Sequence, residues 1–149
     1  DEHSIDWHLL DDVRHRGLLD LNRDLNRMYA DLGALHASDC DPSGFAWIDL
    51  HSADQSVFAF LRSDPTQPQS PPIVCVFNAT PVPRDQYWIG VPEGGTYVRI
   101  LDSDAERYGG TGYSKQDRAT ADPQPSHGYP FRLRLDLPPL AALYFRLER

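Results

Sequence analysis

The hydrophobic pattern of this chain changes its period near residue 40, and this change limits the possible folds more than any other feature. Before it, apolar residues recur at three- and four-residue steps with charged residues between them, which is typical of an amphipathic helix. These apolar residues are Leu18, Leu21, Leu25, Met28 and Tyr29. The spacing predicts one helix from Val13 to Leu32, ended by a left-handed Gly33, and a shorter helical turn over Ile5 to Leu10.

After the turn-forming residues Asp39 to Gly44, the sequence consists of short segments rich in aromatic and β-branched residues, separated by Pro, Gly and Asp. Seven such segments without helices between them predict a mainly β fold, an antiparallel β-sandwich. The predicted strands are Phe45–Leu50, Ser56–Arg62, Ile73–Ala79, Tyr87–Val91, Thr96–Leu101, Arg132–Leu137 and Ala142–Leu147. We expect Glu93 to Gly95 to form a hairpin turn, and residues 63–72 and 102–130 to be long loops.

The predicted helix has no partner of its own kind, so its apolar stripe needs a surface elsewhere. We therefore expect residues 1–38 to be the helical end of a domain that lies mostly upstream, and residues 39–149 to be an all-β domain. On this interpretation the chain is truncated. The chain alone would then expose an apolar patch and tend to associate with itself.

Charge and length exclude several classes of function. The 149 residues contain 14 Lys and Arg against 22 Asp and Glu, and the formal charge of −8 disfavours nucleic-acid and anionic-membrane partners. The longest apolar runs fall well short of the roughly 20 residues that a membrane helix needs. Cys40 and Cys75 are too few for a disulfide framework and form no CxxC pair, which favours free thiols and a cytoplasmic location.

The sequence has partial matches to metal-binding and phosphate-binding motifs, but each match lacks a residue that the motif requires. Asp39 to Gly44 resembles the start of a calcium loop, but Leu50 occupies the position of the required Glu. The glycine-rich segment 109–115 lacks the ending of a phosphate loop, and there is no zinc spacing or GxSxG elbow. We interpret Asp102 and Asp104 as solvated turn caps rather than an acid-base pair. The sequence predicts no catalytic residue, no metal and no cofactor.

The aromatic residues leave surface binding open. Trp47 and Trp88 lie within strand patterns, and we predict that both belong to the core. Trp7 and Tyr108 lie in less regular segments, and for these we expect a surface position.

Taken in order, many short segments are similar to the end of the bacterial 1,4-α-glucan (glycogen) branching enzymes. They include Ile5 to Leu10, Asp24 to Tyr29, Ala34 to His36, Gly44 to Asp49, Ser56 to Phe60, Asn78 to Arg84, Ile89 to Pro92, Asp102 to Asp104, Tyr108 to Gly112, His127 to Gly128 and Leu137 to Ala141. The resemblance covers nearly the whole chain. Two positions depart from the family pattern: Asp102, where Asn is usual, and Ala79, where an aromatic residue is usual.

The resemblance implies a protein of the α-amylase superfamily, in which a (β/α)8 catalytic barrel is followed by a C-terminal all-β domain. Residues 1–38 would then be the last barrel loop and helix. Such enzymes cut an α-1,4 bond and transfer the chain to a 6-hydroxyl of an α-glucan such as glycogen or amylose, with two carboxyl groups as in retaining glycosidases. The family's catalytic motifs do not occur in this segment, so we expect the chain to be inactive alone.

The same resemblance places Trp7 after the last barrel strand, where loops face substrate. We therefore predict substrate contacts for Trp7, His8 and Tyr108, with packing of the helix against the barrel as an equal alternative for Trp7. A second hypothesis is a free-standing carbohydrate-binding β-sandwich, which would need a planar strip of exposed aromatic rings. A third, an unrelated hydrolase, lacks an arrangement of nucleophile and base in the sequence.

Overall fold

The computed structural model describes residues 6–49 and 55–149. They form one α-helix, α1 (Val13–Asp31), and a series of strands. The strands are β1 (Phe45–Asp49), β2 (Val57–Arg62), β3 (Ile73–Asn78), β4 (Arg84–Val91), β5 (Thr96–Asp102), β6 (Arg118–Thr120), β7 (Phe131–Leu137) and β8 (Ala141–Leu147). Single 3-10 turns cover Trp7–Asp11, Gly33–Leu35, Pro42–Gly44 and Glu106–Tyr108. The predicted ends at Ile5 and Leu50 lie outside the described residues.

The strands form two antiparallel sheets. The larger sheet has six strands in the order β1-β2-β3-β8-β5-β6, and the smaller sheet pairs β4 with β7. Alternate side chains of both sheets point into one core between them, because successive residues of a strand face opposite sides. Its fully buried members include Val57, Val74, Ile89, Leu133, Leu135 and Phe145. The predicted mainly β, antiparallel sandwich is confirmed.

Helix α1 begins and ends through local backbone chemistry. The carboxylate of Asp12 accepts a hydrogen bond from the backbone N–H of Arg14 at 2.8 Å and caps the first turn. The helix ends at Asp31 because Leu32 is extended. The expected left-handed Gly33 is wrong: Gly33 starts a 3-10 turn, and a Cβ there would lie 2.7 Å from the Asp64 carboxylate. A larger residue at this position would therefore require the Asp64 carboxylate to move.

A smaller apolar cluster forms on the outer face of the six-stranded sheet, on the side of α1. Ala34, Ile73 and Cys75 are buried in it, and half-buried side chains such as Leu35 and Tyr144 surround them. From the predicted helical stripe, the side chains of Leu21, Leu25 and Met28 are half-buried, whereas 60% of Leu18 and 48% of Tyr29 are exposed. The β domain thus covers only part of the helical stripe.

Two details of the strand prediction are wrong. Glu93 to Gly95 connects β4 to β5, but these strands pair in different sheets, so the segment crosses the sandwich and is no hairpin turn. The predicted loop 102–130 contains β6, which pairs with the start of β5 through Thr96 and Thr120. Three residues are too few to show an alternating pattern, which is why the sequence does not reveal this strand.

Candidate functional site

The start of the described chain exposes large apolar side chains. Trp7 is 69% exposed, Leu9 41%, Val13 79% and Leu18 60%. We call these four residues the N-terminal apolar group. His8 lies in the same 3-10 turn as Trp7 and is also exposed. Trp7 and His8 are thus both exposed in this chain, and their substrate contacts stay a prediction.

Tyr108 has a different position from the one predicted. It is only 7% exposed, and its hydroxyl donates a hydrogen bond of 2.6 Å to the Asp24 carboxylate on α1. Burial, followed by this hydrogen bond, raises the pKa of Tyr108 to about 12. The same hydrogen bond is the main cause that lowers the pKa of Asp24. The expected surface position of Tyr108 is wrong: it holds α1 on the β domain, and its substrate contact stays a prediction.

Gly17 lets α1 approach this turn closely. A Cβ at Gly17 would lie 2.5 Å from the carbonyl oxygen of Tyr108 and 3.1 Å from the backbone nitrogen of Gly109. Only glycine fits there, because a Cβ atom less than 3 Å from a backbone atom would overlap with it. Gly17, Asp24 and Tyr108 together fix α1 to the 106–108 turn.

A row of aromatic rings crosses the outer face of the six-stranded sheet. Phe45 and Trp47 on β1 contact Phe60 on β2, with ring centroids 5.0 and 5.7 Å apart. Phe60 stacks on Phe77 at 5.6 Å, and Phe77 meets Tyr144 at 5.9 Å. We call these five residues the aromatic row. It continues the small cluster beside α1 to the edge of the sheet.

The row is open at its β1–β2 end. Trp47 is 44% exposed, and Phe58, the outward-facing neighbour of Phe60 on β2, is 42% exposed. The prediction that Trp47 belongs to the core is wrong, because Ile48, its neighbour along β1, faces the core instead. The strand pattern identified the segment, but it did not identify which side of the strand faces the core.

Trp88 is also outside the core. It lies on β4 and faces away from the core, and the guanidinium of Arg132 lies 3.8 Å above its ring. Its neighbour Ile89 is fully buried between the sheets. The core prediction for Trp88 is therefore wrong for the same reason, and a cation-π contact covers the ring instead.

The two carboxylates near the end of β5 have separate structural partners. Asp104 accepts hydrogen bonds from the backbone N–H and hydroxyl of Thr111, at 2.8 and 2.7 Å, and from the N–H of Tyr113 at 3.0 Å. Burial alone would raise the pKa of Asp104, but these hydrogen bonds outweigh it and lower the pKa. Asp102 binds Arg99 at 2.8 Å, yet burial raises its pKa. Both therefore organise the long loop, as turn caps do, but the expectation that they are solvated is wrong, because only 5% of Asp102 and 9% of Asp104 are exposed.

A polar network ties the end of α1 to the sheet. Asp39 accepts hydrogen bonds from Arg62 at 2.5 Å and from the Tyr29 hydroxyl at 2.8 Å. The hydrogen bond from Arg62, followed by that from Tyr29, lowers the pKa of Asp39. Local sequence patterns do not reveal this network, because the three residues are distant in sequence and meet only through the tertiary fold.

Within residues 6–49 and 55–149, no cluster of His, Cys, Asp or Glu has the arrangement of a metal site. Asp41, from the rejected calcium motif, caps a 3-10 turn by accepting from the N–H of Ser43 at 2.8 Å. Over the same residues, no helix has the length and apolar character that crossing a membrane requires.

Comparison with known proteins gives consistent matches. Residues 47–148 match the family described as "Alpha amylase, C-terminal all-beta domain". Proteins named 1,4-alpha-glucan branching enzyme GlgB are similar to nearly the whole chain. The one from Cereibacter sphaeroides is 49% identical over 141 residues, and the one from Aquifex aeolicus is 44% identical over 147 residues. A third, GlgB 1 from Xanthomonas campestris pv. campestris, is 48% identical over 140 residues.

These alignments cover 95%, 99% and 94% of this chain but only 19%, 23% and 19% of the three relatives. The chain thus spans about a fifth of the length of the branching enzymes that it matches. The family match extends over more than two thirds of the chain and includes all eight of the strands described above, apart from the start of β1. This chain belongs to the α-amylase C-terminal all-β domain family.

Proposed function

We propose that this chain is the C-terminal β domain of a 1,4-α-glucan branching enzyme, an enzyme that transfers α-1,4 glucan chains to 6-hydroxyls. In this proposal the chain supports the larger catalytic part and is inactive alone. The observation that carries the proposal is the similarity of nearly the whole chain to about a fifth of the length of these enzymes, and it is supported by the N-terminal apolar group, whose members are 41% to 79% exposed. Exposed groups of large apolar side chains mark interaction surfaces.

Helix α1 is suited to link the two parts. One side of it is fixed to the β domain through Gly17 and Tyr108, while Leu18 on another side is exposed. We propose that residues 1–38 belong to the catalytic barrel and that this exposed side packs against the rest of it. Trp7 and His8 would then lie at the edge of the barrel that faces the substrate.

The positions of two carboxylates support the proposal that the chain is inactive alone. Asp102 and Asp104 are buried and accept hydrogen bonds from Arg99 on β5 and from Thr111 in the loop, so neither is available to attack a sugar or to protonate a leaving group. The two free thiols among the described residues, Cys40 and Cys75, agree with a cytoplasmic enzyme.

The test is made in the full-length enzyme and in the 149-residue chain in parallel. Leu18→Asp introduces a charge on the exposed side of α1, and Ala30→Asp introduces the same charge at another exposed position of the helix. If Leu18 faces the catalytic part, Leu18→Asp lowers the thermal midpoint and branching activity of the full-length enzyme, because a buried charge is costly. It leaves the 149-residue chain nearly unchanged.

The control defines the opposing result. Ala30→Asp is expected to have little effect in either protein. Equal effects of the two variants in the full-length enzyme would contradict the docking role of this surface. Branching of amylose by the 149-residue chain alone would contradict its proposed inactivity.

A second candidate function is glucan binding, either within the enzyme or by a free-standing carbohydrate-binding sandwich. The observation that favours it is the open end of the aromatic row, where Trp47 and Phe58 are 44% and 42% exposed on adjacent strands. Aromatic faces combine apolar area with rigid geometry and so suit flat ligand surfaces. This role depends on the outward position of Trp47.

Affinity electrophoresis of the full-length enzyme in gels containing glycogen distinguishes binding from support. If the row binds glucan, Trp47→Ala reduces retardation several-fold at a temperature at which the variant is fully folded, although loss of the ring contacts with Phe45 and Phe60 lowers the thermal midpoint by a few degrees. The matched control is Val82→Ala, which truncates an apolar side chain that is 52% exposed elsewhere on the surface. Unchanged retardation with a lower midpoint would assign Trp47 to support alone.

A further inference from the structure

A cavity of about 340 Å³ lies between α1 and the outer face of the six-stranded sheet. Leu25 and Met28 line it from the helix, and Phe60, Cys75 and Tyr144 line it from β2, β3 and β8. Its volume is at the lower end of the range of about 300 to 1,000 Å³ that small-molecule sites occupy. Its walls are mainly apolar and aromatic, as in most such sites.

The contacts on either side of this cavity hold the helix in place. Near its start, Gly17 lies against the backbone of Tyr108, where even an added Cβ atom would be 2.5 Å from the carbonyl oxygen. The helix and the 106–108 turn therefore cannot move closer together. Near its end, the Tyr29 hydroxyl is bonded to Asp39, which is also bonded to Arg62 on β2. Because α1 is fixed at both ends, it cannot settle onto the sheet to fill the space.

Arg62 provides the charged group of the cavity lining. Its Nη2 donates to Asp39 at 2.5 Å and to the backbone oxygen of Leu35 at 3.2 Å. Its Nε is buried and has no hydrogen-bond partner among the residues that the structure describes. Nε has no accessible surface, but the Arg62 side chain is 18% exposed and lines the cavity. An acceptor in the cavity would therefore form a charge-assisted hydrogen bond with the guanidinium.

We propose that this cavity binds a small organic anion with an apolar body, whose acidic group accepts a hydrogen bond from Arg62. The apolar walls formed by Leu25, Met28 and Phe60 suit an alkyl or aromatic body, and they offer few partners for the hydroxyl groups of a sugar. Phe60 and Tyr144 also belong to the aromatic row, but the proposed ligand of the cavity is an anion with an apolar body rather than a glucan, so this inference does not depend on the proposed function.

Calorimetric titration of the full-length protein with octanoate tests the site. We expect saturable binding, with octanol about tenfold weaker because it lacks the charge. Arg62→Met is expected to weaken octanoate binding about tenfold or more. The matched control, Arg14→Met, removes an arginine that forms only an exposed pair with Asp12 and is expected to leave binding unchanged. Equal binding by both variants would overturn the proposal.

Thiol alkylation gives a second measurement that needs no variant. Cys75 is 1% exposed in the wall of the cavity, and burial raises its pKa to about 12, so it reacts slowly with iodoacetamide. Cys40 is exposed and serves as an internal reference. Peptide mass analysis should show that octanoate slows the alkylation of Cys75 several-fold without changing that of Cys40. Absence of this protection at saturating octanoate would also overturn the proposal.

Discussion

Replacing Gly17 with alanine tests how α1 is attached to the β domain. In an exposed part of a helix, Gly→Ala stabilises a protein by about 1 kcal/mol, because alanine has the higher helix propensity. At Gly17 the added Cβ would lie 2.5 and 2.6 Å from the carbonyl oxygen and carbon of Tyr108. These are backbone atoms of a 3-10 turn, so they cannot rotate away as a flexible side chain would.

Overpacking of this kind costs about 1 to 3 kcal/mol, and a contact with fixed backbone atoms belongs in the upper part of that range. After subtraction of the propensity gain, we expect Gly17→Ala to lower the free energy of unfolding by about 1 to 2 kcal/mol. For a domain of this size, that corresponds to a decrease of roughly 2 to 8 °C in the thermal midpoint.

Urea and thermal unfolding of the 149-residue chain, followed by circular dichroism, measure the change. Ala30→Gly is the matched control, because Ala30 is exposed on the same helix and its replacement should cost only the propensity difference of about 0.5 to 1 kcal/mol. An increase in stability of Gly17→Ala by about 1 kcal/mol would show that α1 does not contact the 106–108 turn, and would refute the packing described above.

Three further changes test other parts of the structure. Asp104→Asn should lower the free energy of unfolding by about 1 to 3 kcal/mol at pH 7, because the amide replaces one of the two accepting oxygens with a donor. Either the bond from the Thr111 N–H to Oδ1 or the bonds from the Thr111 hydroxyl and the Tyr113 N–H to Oδ2 are then lost. Since the folded-state pKa of Asp104 is lowered, its contribution is present above the unfolded pKa and lost as the pH falls through the folded pKa; the cost should therefore shrink below pH 3.8 in urea titrations. Asn78→Ala should cost about 2 to 4 kcal/mol in the same assay, because the buried Asn78 amide donates two hydrogen bonds, of 2.8 and 2.9 Å, to backbone oxygens. Leu18→Asn should change stability by less than about 0.5 kcal/mol but reduce self-association of the 149-residue chain in sedimentation experiments; unchanged association would indicate that Leu18 is not part of the associating surface.

Periodicity predicted the element types well, because it follows directly from backbone geometry. The predicted helix, Val13 to Leu32, differs from α1 by one residue, and all seven predicted segments contain strands. Periodicity cannot tell which side of a strand faces the core when both sides are covered. The six-stranded sheet has the sandwich core on one side and the cluster beside α1 on the other, so Trp47 was assigned to the wrong side.

The candidate sites depend on contacts between distant parts of the sequence. Trp7 and His8 lie exposed before α1, and their predicted substrate contacts involve atoms outside this chain. Tyr108 could not be placed from sequence, since its position depends on Asp24, which is 84 residues away in the chain. The same is true of the Arg62 network, in which Asp39 lies 23 residues away. Local patterns contain no information on such pairings.

The strand order of the larger sheet has a consequence for folding during synthesis. β8 is the last strand in the sequence, yet it lies in the middle of the sheet between β3 and β5. While a ribosome is still producing the chain, β1, β2 and β3 can associate, but β3 keeps an unpaired edge until β8 has emerged. Unpaired edges can bind other nascent chains and start aggregation. A chain that ends before Ala141 would lack β8, so β1-β2-β3 and β5-β6 would no longer be joined in one sheet.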